Sequence, residues 1–222
     1  MEYTLDQMIF IRHQMKIGDS STVSIAYENA ARDTILVHSA PQVLEEFGLK
    51  QYSDAPIKSF WPKGILHRLN TSGFYNPFTG ECYKERDLHP IQIPFIKAHE
   101  WCHAQGVTDE GDANFLAYWI CVSSGDLLYA YSGYLEYWRY LSAEIRKLDP
   151  DAYNISRENL PFGIKSDLLE IRENLLKYPE FMPDMRDIVY DSYLKSHGIT
   201  EGMASYNRLV NMVVATKRQK RL

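Results

Sequence analysis

The sequence predicts an α+β protein that is predominantly α-helical. Three observations lead to this class. Apolar residues recur at helical spacing through most of the 222 residues. Helix starts and stops punctuate them at Gly48, Pro94, Gly106, Asp109 and Gly198. One stretch, about residues 51–88, abandons that rhythm. There Pro56, Pro62, Gly64, Gly73, Pro77 and Gly80 separate short runs rich in aromatic and β-branched residues.

Taken in order, Ser24–Phe47 has helical periodicity, and Gly48 suits its C-terminal stop. Pro41 should break or kink that helix, because its ring lacks a backbone donor and crowds the preceding turn. The segment 51–88 holds the only predicted β structure. Asn76–Gly80 should turn the chain between Phe74-Tyr75 and Cys82-Tyr83. Pro94 suits the first turn of a helix that runs to about Gln105 and stops at Gly106. A second helix should begin near Asp109 and reach about Val122, so the region 93–122 carries two consecutive helices. After a loop at Ser123–Asp126, Leu127–Leu148 reads as an aromatic-rich helix ending before Pro150. Pro161–Tyr178, Met185–Ser196 and Gly202–Arg218 complete a helical C-terminal part, about 127–218. With no internal repeat and no long linker, a single domain over 1–222 is expected.

Composition removes several classes of function. The net charge is −5 and the pI is near 5.8, so nothing electrostatic recommends a nucleic-acid partner. The basic run Lys217–Arg221 reads as a solvated tail or a helix end with favourable charge. No apolar stretch approaches the ~18 residues of a membrane span. Met1–Gly18 lacks the pattern of a signal peptide, so a soluble chain is expected. Three cysteines, Cys82, Cys102 and Cys121, are too few for a disulfide framework and form no C-x-x-C.

One motif carries chemistry. His99-Glu100-Trp101-Cys102-His103 spells H-E-x-x-H inside a predicted helix. Positions i and i+4 lie one turn apart on one face, so both imidazoles can reach one ion. Glu100 is rotated by about 100° from His99 and points beside that ion. Zinc takes such nitrogen ligands and keeps one position open in catalytic sites. It lowers the pKa of bound water to about 7, and a neighbouring carboxylate can accept the proton. One Zn²⁺, a Glu100 general base and a peptide or protein substrate are therefore expected. The apolar run Ile91–Ile96 argues that the helix is buried, where two unliganded histidines and a glutamate would be costly.

The third ligand has two candidates. His103 to Asp109 reads as H-x-x-G-x-x-D, a metzincin-like arrangement with Asp in place of His. Glu110-Gly111-Asp112-Ala113 reads as the E-x-x-A of glutamate zincins. Asp109 sits where a helix N-cap is wanted, which favours Glu110 as the ligand and leaves Asp109 as the alternative. Ala113 and Ala117 would share the face of Glu110 and let the two helices approach closely.

Several blocks together resemble the DUF3810 family. They are Gly73–Glu81, His99–Gly106, Glu110–Tyr118, and Tyr193–Gly198 with Gly202–Arg208. They occur in one order and span about residues 20–215. The resemblance implies a bacterial zinc metallopeptidase with a zincin-like catalytic domain, often preceded by membrane-spanning helices. By the same resemblance this chain would be the soluble part of a membrane-anchored protein, on a side of the membrane left open. Tyr206, Arg208 and His197 fall in the last block, and each could donate to the oxyanion of a tetrahedral intermediate. Tyr206 and Arg208 rank first.

Phe74-Tyr75 and Cys82-Tyr83 could offer a sheet edge to an extended peptide. The cluster Tyr129, Tyr131, Tyr134, Tyr137 and Tyr140 spreads around one helix, and core packing is the default there. The competing class is a non-catalytic zinc-binding sensor or scaffold of a membrane-associated protein. The acid of the motif argues against it, since a purely structural site has no use for Glu100.

Overall fold

The computed structural model describes residues 1–18, 21–23, 33–181 and 205–219. It is mostly helical with one small sheet, as the sequence predicts. The helices are α1 Glu2–Gln14, α2 Asp33–Glu46, α3 Ile65–Arg68, α4 Ile93–Ala104, α5 Glu110–Ser123, α6 Leu127–Leu148, α7 Pro150–Glu158, α8 Phe162–Leu176 and α9 Ser205–Gln219. The strands are β1 Ile57–Ser59, β2 Gly73–Asn76 and β3 Glu81–Lys84. The predicted helix Met185–Ser196 and its stop at Gly198 lie outside the described residues, as does the start of the predicted Ser24–Phe47 helix.

The helix α2 continues through Pro41 without a break. The proline removes one intrahelical donor, but Leu36, Ala40, Val43 and Leu44 are all buried around it, and their packing holds the helix. Gly48 ends α2 with φ +72°, and the Leu49 N–H returns to the Leu44 carbonyl at 2.8 Å. Three helices were not expected from the sequence: α1, the short α3 and α7. In α7, Pro150 takes the first turn and the Asp149 carboxylate accepts from Ala152 N at 2.9 Å.

The central layer is α4, α5 and α6. Ala113 and Ala117 of α5 are fully buried, as close packing of α5 requires. Gly133 of α6 allows a similar approach, since a β-carbon there would lie 2.7 Å from Cys121 Cβ. Tyr129, Tyr131, Tyr134 and Tyr137 of α6 are buried core residues. Ser132 of the same helix accepts the otherwise orphaned N–H of Phe95 at 3.2 Å, which fixes the start of α4.

The sheet has the order β1-β3-β2, with β1 parallel and β2 antiparallel to β3. The Asn76–Gly80 turn joins β2 to β3 as expected. Tyr75 pairs with Cys82, so both point to one face. That face lies on α4: Cys82 is fully buried and its thiol donates to the Glu100 carbonyl at 3.3 Å. Phe74 and Tyr83 stack on each other, and Phe60 meets both edge-to-face. No described helix is long and apolar enough to cross a membrane.

Candidate metal centre

The helix α4 sets His99 and His103 one turn apart. Gly106 then reverses the chain with φ +89°, and Val107 N bonds back to the Cys102 carbonyl at 3.2 Å. Three residues later Asp109 caps α5, its carboxylate accepting from Asp112 N at 2.9 Å. Glu110 thus falls in the first turn of a helix that starts beside the end of α4. The result is a convergent trio. The two Nε2 atoms lie 3.0 Å apart, with the rings nearly perpendicular at 85°. Glu110 Oε2 lies 3.2 Å from His99 Nε2, and Oε1 lies 3.7 Å from His103 Nε2. All three ligand atoms lie within 4.8 Å of one another, and no other such group occurs among the described residues.

The donor set fits a divalent ion such as zinc. The Nδ1–H of His103 donates to the Val107 carbonyl at 2.7 Å, which aims the other ring nitrogen at the trio. Two facing imidazole nitrogens at 3.0 Å cannot both present lone pairs, so either one ring donates an N–H to the other or a cation lies between them. Without a metal, a proton takes that part. Burial alone would lower the pKa of His103, but Glu110 raises it to about 9. Burial works in the opposite sense on Glu110, yet the two imidazoles hold its carboxyl well below the usual range. The trio thus sets one carboxylate against two imidazoles, a donor set able to hold a cation. His99 Nδ1 is buried and has no partner among the described residues.

A family model described as a protein of unknown function, DUF3810, matches residues 2–214. The chain belongs to the DUF3810 family. The match begins earlier than the sequence blocks reach and takes in α1. No curated protein and no solved structure matches the chain. The family description names no activity, so any activity must be argued from the side chains of this DUF3810 chain itself.

Glu100 is only 4% exposed and is not among the converging ligands. Burial raises its pKa to about 7, against the pull of His99 and His103. Its carboxylate lies against Gly73 of β2, where a β-carbon would sit 2.5 Å from Oε1. The glycine is therefore what lets the sheet come this close to the motif.

Asp109, the alternative ligand, is occupied by its cap and by Arg208 Nη1 at 3.3 Å. Arg208 also pairs with Asp112, its Nη2 donating to Oδ2 at 3.2 Å and its Nε lying 3.0 Å from Oδ1. Its guanidinium thus clamps the two acids that flank Glu110. The side chain of Tyr206 and all of His197 lie outside the described residues. Trp101 and Cys102, the inner positions of the motif, face the core. Of the remaining histidines, His13 and His38 are exposed, His67 stacks on Tyr178, and His89 pairs with Glu170.

A cleft of about 510 Å³ opens beside His103, walled by Tyr52, Tyr75, Pro77, Val107 and Thr108. Sequence reasoning did not single out Tyr52 or Gln105. No local pattern joins them, because the contact between them spans 53 residues of chain.

Proposed function

We propose that this DUF3810 protein is a zinc-dependent peptidase with a zincin-like catalytic domain, its ion held by His99, His103 and Glu110. The observation that carries the reading is the convergence of these three side chains, with an acid next in sequence that is not itself a ligand. Zinc in such a nitrogen and oxygen set lowers the pKa of bound water to about 7 and polarises a carbonyl. The protein's own groups supply the rest. His103 is held in orientation by the Val107 carbonyl. Glu100, buried one position beyond His99, is placed to accept a proton from the attacking water at a carboxylate oxygen. It can then return that proton to the leaving amine. The outer edge of β2 begins at Gly73, against Glu100, and offers backbone groups to an extended peptide.

The test is a pair of substitutions. Glu100→Gln should keep zinc bound one to one and abolish hydrolysis of a quenched peptide library. Glu110→Ala should lose the zinc itself, read by elemental analysis after dialysis. A Glu100→Gln protein with full activity would refute the mechanism. A Glu110→Ala protein with undiminished zinc would refute the ligand set.

A further inference from the structure

We infer that the cleft beside His103 is a subsite for one large apolar or aromatic side chain of the peptide, next to the bond that is cut. This rests on the peptidase reading and names the substrate class it takes. The volume of about 510 Å³ falls within the roughly 300–1,000 Å³ of ligand pockets. The lining contains no carboxylate, ammonium or guanidinium group. His103, the one cationic group of the lining, uses both ring nitrogens on the Val107 carbonyl and the trio, so a charged side chain in the cleft would lose water without gaining an ion pair, whereas an apolar one would gain from burial.

Position ties the cleft to the reacting atoms. His103 belongs both to the cleft and to the metal-ligating trio. Tyr75 stands two residues along β2 from Gly73, which touches Glu100. Side chains alternate along a strand, so a peptide laid on the edge of β2 projects every second residue toward one face.

The wall is also held in place. Tyr52 is 76% exposed. Its segment is fastened by Gln105, which is only 5% exposed. The Gln105 Oε1 accepts from Tyr52 N at 2.8 Å and from Ser53 N at 3.0 Å. The Nε2 of the same side chain donates to Ser53 O at 2.9 Å and to Trp101 O at 3.3 Å. The turn that ends the motif helix therefore also pins the far wall of the cleft, and the subsite is preorganised.

The experiment has a binding arm and a cleavage arm. In the first, zinc-loaded Glu100→Gln protein is titrated with N-acetyl-phenylalaninamide, N-acetyl-leucinamide and N-acetyl-aspartic acid amide, followed by NMR shifts of residues 104–108. The phenylalanine and leucine probes should bind at least about tenfold more tightly than the aspartate probe. Adding Thr108→Trp, at an exposed position in the lining, should abolish that difference. In the second arm, wild type should cleave peptides with Phe or Leu beside the scissile bond at least about tenfold faster, as kcat/KM, than those with Asp. Tyr52→Ala and Thr108→Trp should erase the preference while melting like wild type. Probes that bind without discrimination, or a preference that neither variant moves, would overturn the subsite. Discriminating binding without cleavage of any peptide would keep the subsite and instead overturn the peptidase reading.

Discussion

Gly73→Ala tests the contact on which the placement of Glu100 depends. A β-carbon at Gly73 would lie 2.5 Å from Glu100 Oε1, 2.8 Å from Glu100 Cγ and 2.7 Å from the Tyr83 carbonyl oxygen. Rotation of Glu100 can relieve the first two contacts. The third belongs to the backbone of β3 and cannot yield without moving a strand. Overpacking of this kind costs about 1–3 kcal/mol. In a chain of 222 residues each kcal/mol lowers Tm by about 2–4 °C, so the variant should melt about 2–12 °C below wild type. Gly18→Ala is the control. Its β-carbon would meet open space, and its stability should change by no more than about 0.5 kcal/mol. Because Glu100 is not a ligand, Gly73→Ala should also lose peptide turnover while still holding one zinc. Calorimetry, elemental analysis and a fluorogenic peptide assay read the three quantities. If Gly73→Ala melts with wild type and turns over peptide normally, β2 does not press on Glu100 and the reasoning fails.

Three further outcomes follow from other contacts. Asp167 is fully buried and bonds Arg12, the Tyr131 hydroxyl at 2.5 Å and Val23 N at 2.7 Å. Asp167→Ala should cost about 3–5 kcal/mol in denaturant unfolding and leave zinc content intact, and a cost below about 1 kcal/mol would contradict the buried pair. Burial pushes Glu85 upward, but N–H groups of Asp87, Gly64 and Leu66 outweigh it and hold its pKa below the ordinary 4.5. A depressed carboxyl stabilises the fold above its unfolded pKa and loses that contribution as pH falls through the folded value. The stability gap between wild type and Glu85→Gln should therefore be full at neutral pH and close below 4.5, while a gap that stays constant would refute this. Arg208→Ala should change stability by only about 0–1 kcal/mol, since its pairs are half-exposed. Turnover should fall by less than about tenfold, as Asp112 competes for the ion, whereas a loss of about 10²–10³ would place the guanidinium on the oxyanion instead.

The helices from Ile93 to Leu148 were legible because each boundary carries a residue with a local job. Pro94 opens α4, Gly106 takes a positive φ, and Asp109 and Asp126 accept backbone N–H groups at the next two starts. The same logic made the convergent trio legible, since the cap at Asp109 leaves Glu110 as the acid facing the histidines. The helix α1 was not legible for an equally physical reason. Its buried face is Thr4, Met8, Ile11 and Arg12, a helical stripe in which two of four residues are polar. Arg12 is buried only because Asp167 lies opposite, 155 residues away, and no periodicity in α1 announces that partner. Pro150 misled in another way. The same residue that ends α6 is the preferred first residue of α7 once Asp149 is in place to cap it. The Tyr52–Gln105 fastening was hidden because it joins an irregular segment to a helix end, where neither side has a repeating pattern.

The charges around α5 explain why one of three neighbouring acids faces the histidines. Asp109, Glu110 and Asp112 all sit at the start of that helix, where its dipole favours negative charge. Left alone, three carboxylates so close would repel one another. Arg208 removes two of them from the contest by bonding Asp109 and Asp112 together. Asp109 is further tied down by its cap to Asp112 N. Glu110 alone remains directed at the imidazoles and supplies the one negative charge of the trio. A divalent ion bound there keeps a net charge near +1, enough to polarise a carbonyl. A second carboxylate in that shell would cancel it. On this account Arg208 belongs to the site through charge balance: without it, Asp112 gains freedom to compete for the ion. Arg208→Ala should then leave zinc bound but strengthen its hold, measured by competition with a chelator. A weaker hold would show that Arg208 instead serves to place Glu110.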